Sequence, residues 1–349
     1  MLSSTRRGFL SRLGPGVAFG LMSRPTASAA CLQTDTIRWI VGHAPGGGYD
    51  TYSRLVEPYL ERELGVSIYV DNIPGAGGLK GAATLTEAPP NGATLGILNM
   101  AGLLMASLTT NLPFDQLNDF TMLGTINKSS HIWATGASTG LKSIEELLQL
   151  GRTRGVVFGV NTFNSLGFLL PALTSAMLGC KADYVSGYGG STQTVMAAIR
   201  GEVDVVSASW DVVSNRVHAG DLRPLALMSA DLAKADPVLR GAPVLAGKHG
   251  LIAEASPKTA GDAEALVRLM NVGRVIVAPA GMDPTLEKCL SDAACRALHD
   301  PKLVEAAAAR RYRVQPICAE ETQRRVQAAQ ADLPALAPIA REAIARAQA

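Results

Sequence analysis

His43-Ala44-Pro45-Gly46-Gly47-Gly48-Tyr49-Asp50-Thr51 stands between a short apolar run at 37–41 and a segment whose Leu55, Val56, Tyr59 and Leu60 share one helical stripe. The run reads as a buried strand and the stripe as an amphipathic helix, with Pro58 expected to kink it. Three successive glycines at such a junction let the backbone approach a ligand and adopt positive φ. The helix that follows offers unpaired N–H groups and the positive end of its dipole, which together suit an anion. A phosphate loop is a poor fit, because no Lys-Ser or Lys-Thr follows and no G-x-G-x-x-G spacing occurs here.

The same unit recurs outward along the chain. Strand candidates lie at 37–41, 68–70, 94–98, 121–126, 156–160, 183–185, 203–208, 225–228 and 275–277. Most lack a two-residue alternation, as strands covered on both faces do. Ser143-Ile144-Glu145-Glu146 is a capping box that opens one intervening helix. Alternating β and α elements predict parallel-rich sheets with helices on both sides, and ligands bind outside the carboxyl ends of such strands. Polar and glycine-rich loops fall there: Pro74 to Gly78, Asn99 to Gly102, Asn161 to Gly167, and Gly187 to Ser191. Crossings between two domains are expected near residues 127–131 and within 229–273, where Pro237, Gly241, Pro243, Gly247 and Pro257 interrupt the pattern.

The first thirty residues hold Arg6, Arg7, Arg12 and Arg24, no acid, an apolar stretch over 14–22, and Ala27-Ser28-Ala29. That is the layout of a secretory signal, and Arg6-Arg7 ahead of Phe9-Leu10 matches a twin-arginine address. The stretch is too short and too interrupted, at Pro15, to span a bilayer. The whole chain has 32 basic and 30 acidic residues; without the signal's four arginines it has 28 against 30. A near-neutral surface excludes nucleic acid and anionic membrane as expected partners. The remaining stretch of about 319 residues suits two α/β domains.

Cys31, Cys180, Cys289, Cys295 and Cys318 form no metal-ligand spacing, and their odd number leaves one thiol unpaired. Cys289 and Cys295 are six apart in an expected helix, a rise of about 9 Å that rules out a bridge between them. They are expected to be reduced or paired elsewhere. Cys31 is a candidate for lipidation and for the odd thiol, although Ser28 stands where a lipobox has Leu.

Enzyme motifs are missing: there is no His-Glu-x-x-His, no Cys-x-x-Cys and no G-x-S-x-G elbow. His43 adjoins the glycine loop, whereas His131, His218, His249 and His299 read as surface or hinge residues. Asp211, after the strand at 203–208, has two readings: it contacts an amino or hydroxyl group of a ligand, or it caps the following helix.

Taken in order, Pro45-Gly46-Gly47-Gly48-Tyr49-Asp50, Asn72-Ile73-Pro74-Gly75-Ala76-Gly77-Gly78, Ala88-Pro89-Pro90-Asn91-Gly92-Ala93-Thr94-Leu95, Tyr188-Gly189-Gly190, Arg200-Gly201-Glu202-Val203-Asp204, Leu222-Arg223-Pro224-Leu225-Ala226 and Ala278-Pro279-Ala280-Gly281 resemble the receptors of tripartite tricarboxylate transporters, the Bug family of periplasmic solute-binding proteins. The resemblance implies an α/β, two-domain, type 2-like Venus flytrap, each domain a mostly parallel sheet flanked by helices. Domain 1 would comprise 32–128 and 274–349, domain 2 would comprise 129–273, and 1–30 would be the exported signal. It implies a carboxylate held by backbone amides and ordered waters, without an arginine, at Gly47, Gly48, Tyr49, Asp50, Ala76 and Gly77. Asn99 and Ala101 would line the floor, and Asn161, Asn164, Gly189, Gly190 and Asp211 would complete the site from domain 2. No catalytic residue, metal or cofactor is implied. The implied partners are a small mono- or dicarboxylate and the integral membrane subunits of a secondary transporter, met by a periplasmic monomer.

This chain departs from the family at Tyr49, where a small residue is usual, and at Asn161-Thr162-Phe163-Asn164-Ser165-Leu166-Gly167-Phe168. Tyr49, Phe163 and Trp210 would suit an aromatic or long-chain acid if they faced the ligand, and core packing is the other reading of each. Three rival functions share part of the sequence evidence: a sulfonate or phosphonate receptor of an ATP-driven importer, a sensor-type orphan receptor that feeds a signalling pathway, and a hydrolase using Ser165 or Ser191.

Overall fold

A computed structural model describes residues 31–234 and 236–348. The twin-arginine signal expected over 1–30 lies outside the described residues. In chain order the elements are β1 (Thr36–Val41), α1 (Gly48–Leu64), β2 (Ser67–Asn72), α2 (Leu79–Thr86), β3 (Thr94–Asn99), α3 (Met100–Ala106) and β4 (Phe120–Asn127). There follow β5 (His131–Gly136), α4 (Ile144–Thr153), β6 (Val156–Gly159), α5 (Leu166–Met177), β7 (Ala182–Val185), α6 (Ser191–Arg200), β8 (Val205–Ser209), α7 (Trp210–His218) and β9 (Leu222–Leu227). The chain closes with α8 (Leu251–Ala255), α9 (Ala260–Val272), β10 (Arg274–Pro279), α10 (Pro284–Leu298), α11 (Pro301–Ala309), β11 (Ile317–Cys318) and α12 (Ala319–Gln348).

These strands form two mixed sheets flanked by helices. The first has order β11-β4-β10-β3-β1-β2 and the second β7-β6-β8-β5-β9. In the first, β1, β2, β3 and β4 run one way, and β10 and β11 run against them. In the second, β5 alone opposes β6, β7, β8 and β9. One direction predominates in each sheet, and the reversed strands β5 and β10 are those that receive the chain as it crosses from one sheet to the other.

The outward crossing runs from Asn127 to His131 and the return passes through Gly273. The two touch: Ser129 N–H donates to the Met270 carbonyl at 2.9 Å. Gly273, at φ 73°, has no room for a side chain, since a Cβ would collide with the Asn127 carbonyl. Bulk at this double crossover is excluded by backbone on both sides. The long helix α12 packs on α9, α5 and β4, so its Val326, Ala329, Leu333 and Leu336 share one apolar cluster with residues of both sheets.

Three expectations need correction. The stretch 131–136 is a strand of the second sheet, not only a crossing. Its His-Ile-Trp-Ala-Thr-Gly carries no regular period, and a register shift between Trp133 and Ala134 breaks its pairing with β9. Cys289 and Cys295 are paired elsewhere, one of the two expected outcomes, in Cys31–Cys289 and Cys295–Cys318, but the odd thiol is buried Cys180 rather than Cys31. The Cys31 sulfur is therefore occupied, and a lipid thioether would require that same atom. Cys295, His299 and Cys318 do gather potential ligand atoms within 4.8 Å of one another, a grouping the sequence spacing hid, but both sulfurs are bonded to each other. Among the described residues no helix is long and apolar enough to cross a membrane.

Candidate functional site

β1 ends at Val41, and the chain turns through the three glycines into α1. Gly47 is the N-cap residue and supplies no side chain, so the first N–H groups of α1 have no side-chain partner. The loop is fastened from beneath. Asp50 accepts from the Gly46 N–H at 2.9 Å and from Arg54 Nε at 3.2 Å. Burial works to raise the Asp50 pKa, but the Gly46 N–H, Arg54 and Asn72 outweigh it and hold the carboxyl below its usual range. The second loop, Gly75 to Gly78, has left-handed or otherwise positive φ at every position, including 48° at Ala76. Gly77 lies against the other lobe, where an added Cβ would come within 3.0 Å of the Asn164 carbonyl oxygen.

Facing these loops are Asn161 and Thr162 beyond β6, the start of α5 at Ser165 to Gly167, the start of α6 at Tyr188 to Thr194, and the end of β8 at Ser207 to Ser209. Together they enclose a cavity of about 440 Å³. Five helices with no side-chain cap begin around it: α1, α2, α5, α6 and α7. A sixth, α3, is capped by Asn99, whose Oδ1 accepts from Gly102 N–H at 3.2 Å. Buried polar atoms of His43, His131, Thr162 and Ser207 have no partner in the protein. Such groups are normally satisfied, so their gathering at one cavity marks a place for a polar ligand or ordered water. A wider, open groove of about 860 Å³ runs along residues 107–116 and the end of α12, and no glycine loop meets it.

Among the described residues, Arg274, the first residue of β10, is the one lining residue with a fixed charge. It pairs with Asp211 of α7 at 3.2 Å, and the two side chains are 3% and 2% exposed. It also donates to Asn127 Oδ1 at 3.0 Å and sits 4.9 Å and 4.6 Å from the Tyr49 and Tyr52 ring centres. Burial opposes its charge, while Asp211, Tyr49 and Tyr52 more than restore it, so it stays protonated. Tyr49 also stacks on His43 with ring centres 4.2 Å apart, and burial pushes its phenol up to about 12. Burial, reinforced by Arg274, lowers His43 to about 4 and His131 to about 3. Both imidazoles are neutral at physiological pH. The wall thus presents neutral donors, and its single cation already has a counter-ion.

The model of the tripartite tricarboxylate transporter family receptor matches residues 53–342. The chain belongs to this receptor family. As a receptor it resembles a UPF0065 protein of Bordetella bronchiseptica, 28% identical over 210 residues, which are 60% of this chain and 62% of that one. That match spans under two thirds of the relative's length. Protein BugT of Bordetella pertussis is 26% identical over 299 residues, 83% of this chain and 86% of its own. The solved structure of R. palustris Rpa4515 with adipate shares the fold at a TM-score of 0.71 and 22% identity, over 88% of this chain and 98% of that one. The receptor is a solute-binding protein and not an enzyme. Ser165 Oγ donates to the Thr162 carbonyl at 2.8 Å.

Of the residues expected from sequence, the receptor brings Gly47, Gly48, Tyr49, Ala76, Gly77, Asn99, Asn161, Gly189 and Gly190 to the cavity wall. Four stand off it. Asp50 ties the loop, Ala101 is buried in the first turn of α3, and Asn164 meets Gly77 through its backbone. Asp211 is turned to Arg274 and is not part of the cavity wall. Phe163 packs edge-on against Phe168, and Trp210 is core, so neither offers its ring to a solute. Sequence reading missed Arg274 and His131. The available signal was a charged or polar residue heading an apolar strand just after a crossing, as in Gly273-Arg274-Val275-Ile276-Val277.

Proposed function

We propose that this receptor captures a small organic mono- or dicarboxylate in the cleft between its two sheets and delivers it to the integral membrane subunits of a tripartite tricarboxylate-type secondary transporter. The observation that carries the reading is the convergence of glycine-entered, uncapped helix starts on a cavity with no unpaired acid in its wall. A carboxylate there accepts charge-assisted hydrogen bonds from backbone N–H groups, strengthened as water is excluded. Gly47, Gly48, Tyr49, Ala76 and Gly77 hold the proximal carboxylate, and Asn99, Asn161, Gly189 and Gly190 meet the rest of the solute. Adipate in the similar Rpa4515 structure is a ligand of this chemical class.

The receptor works as a monomer of two domains, 32–128 with 274–349 and 129–273, exported through the segment 1–30. The placement of β1 to β4 and β10 to β11 in one sheet and β5 to β9 in the other supports that division. Calorimetric screening of the mature protein tests the function. Micromolar binding of at least one aliphatic carboxylic acid is expected. Binding of a phosphonate or sulfonate with no organic acid bound would sink it in favour of the rival importer receptor.

A further inference from the structure

Arg274 and Asp211 come from opposite lobes, one opening β10 of the first sheet and the other in the first turn of α7 behind the second. Their pair closes the cleft from behind. Arg274 Nη1 lies 3.2 Å from Asp211 Oδ2 as an ion pair without a hydrogen bond and donates to Asn127, Nη2 lies 3.4 Å from Ser209 Oγ, and neither Arg274 Nε nor Asp211 Oδ2 has a hydrogen-bond partner. Nη2 also lies 3.4 Å from where a Cβ on Gly48 would stand. The guanidinium therefore borders the start of α1, the end assigned above to the carboxylate.

We infer that Asp211 sets the charge of the solute: by holding Arg274 in a buried pair, it leaves the cleft with neutral donors and gives a second anionic group no added affinity. A guanidinium already matched by a carboxylate presents a dipole rather than a net charge to a solute, and in a buried site that difference is large. A second solute carboxylate held elsewhere in the same cavity would meet the field of Arg274 and the opposing field of Asp211 together. Asp211 acts through Arg274, so it is a positioning residue that does not itself touch the solute. The inference rests on the carboxylate reading above and narrows it to acids recognised through one carboxylate.

The test uses an aliphatic diacid and its monoamide, which share a skeleton and differ by one charge, titrated into the wild-type protein and Asp211→Asn. Wild type is expected to bind the two within about threefold, as a neutralised charge would. In Asp211→Asn the freed guanidinium should favour the diacid by about tenfold or more, and lower salt should widen the gap. A loss of packing alone would weaken both ligands together and leave their ratio unmoved. Because Asp211→Asn strands a buried cation, the double variant Asp211→Leu/Arg274→Met is measured beside it. With both charges gone its ratio should stay within about threefold even if both affinities fall. An unmoved ratio in Asp211→Asn overturns the inference. So does a wild-type preference for the diacid of about tenfold that the double variant abolishes. If wild type binds neither acid, the carboxylate reading fails first and the inference falls with it.

Discussion

Helices α4, α10 and α11 on the outer faces start with Ser143, Asp283 and Asp300, each accepting from a first-turn N–H. Helices α1 and α6 at the cleft start with Gly47 and Gly190, which have no side chain to offer. Away from the cleft α8 and α9 also lack side-chain caps, but α8 is one short turn and α9 follows directly from the 3-10 turn Pro257–Thr259. For long helices entered from a loop, the contrast teaches that caps are withheld where a solute would need the same donors. A side-chain cap and a bound carboxylate compete for one set of N–H groups.

The largest expected effect comes from the charge within the cleft. Asp211→Asn should lower the unfolding free energy by about 3–5 kcal/mol, read from urea denaturation, because Arg274 remains buried without its partner. The double neutral variant should recover most of that loss. Recovery by neither would place the stability of the cleft outside the ion pair.

Next in size is a pH effect confined to the cleft. His43 and His131 are held to about 4 and about 3, against an ordinary value of 6.5, so between these limits the unfolded chain binds protons that the folded chain refuses. Stability from this source is complete above about pH 6.5 and falls as pH drops toward 3. Thermal melts across that range should show the decline, and His131→Gln should flatten it. A melt profile identical in the variant would remove His131 from the explanation.

Much of the fold could be read along the chain, and the reasons differ by region. The strand-glycine-helix junction at 37–60 carried its own period, its turn chemistry and its helix start, so β1, the loop and α1 were all legible. The strand His131–Gly136 was not, because its residues obey no single period and its place between β8 and β9 is set by long-range pairing. Arg274 was hidden for a similar reason: its partners Tyr49 and Tyr52, Asn127, and Asp211 come from three distant stretches. The disulfide Cys31–Cys289 was equally non-local, its halves separated by 258 positions.

Smaller effects come from the caps themselves. Ser143→Ala, Asp283→Ala and Asp300→Ala should each cost about 1 kcal/mol of stability and leave solute affinity unchanged. Gly190→Asp should do the reverse. Gly190 is extended at φ 173° with nothing within 4 Å of an added Cβ, so a carboxylate can enter there and cap α6. A gain of about 0.5 kcal/mol in stability with a tenfold or greater loss of carboxylate affinity is expected, from a melt and a titration on one sample. Gain of stability without loss of binding would separate α6 from the solute site.

The most direct measurement is a backbone amide titration by nuclear magnetic resonance, with an organic acid added to the nitrogen-labelled protein. The account predicts that the Gly48 and Tyr49 amide protons at the start of α1 move downfield as they take up hydrogen bonds to the carboxylate, while those in the first turn of α4 hold still. Saturable binding of the acid with the Gly48 and Tyr49 amides unmoved would contradict it.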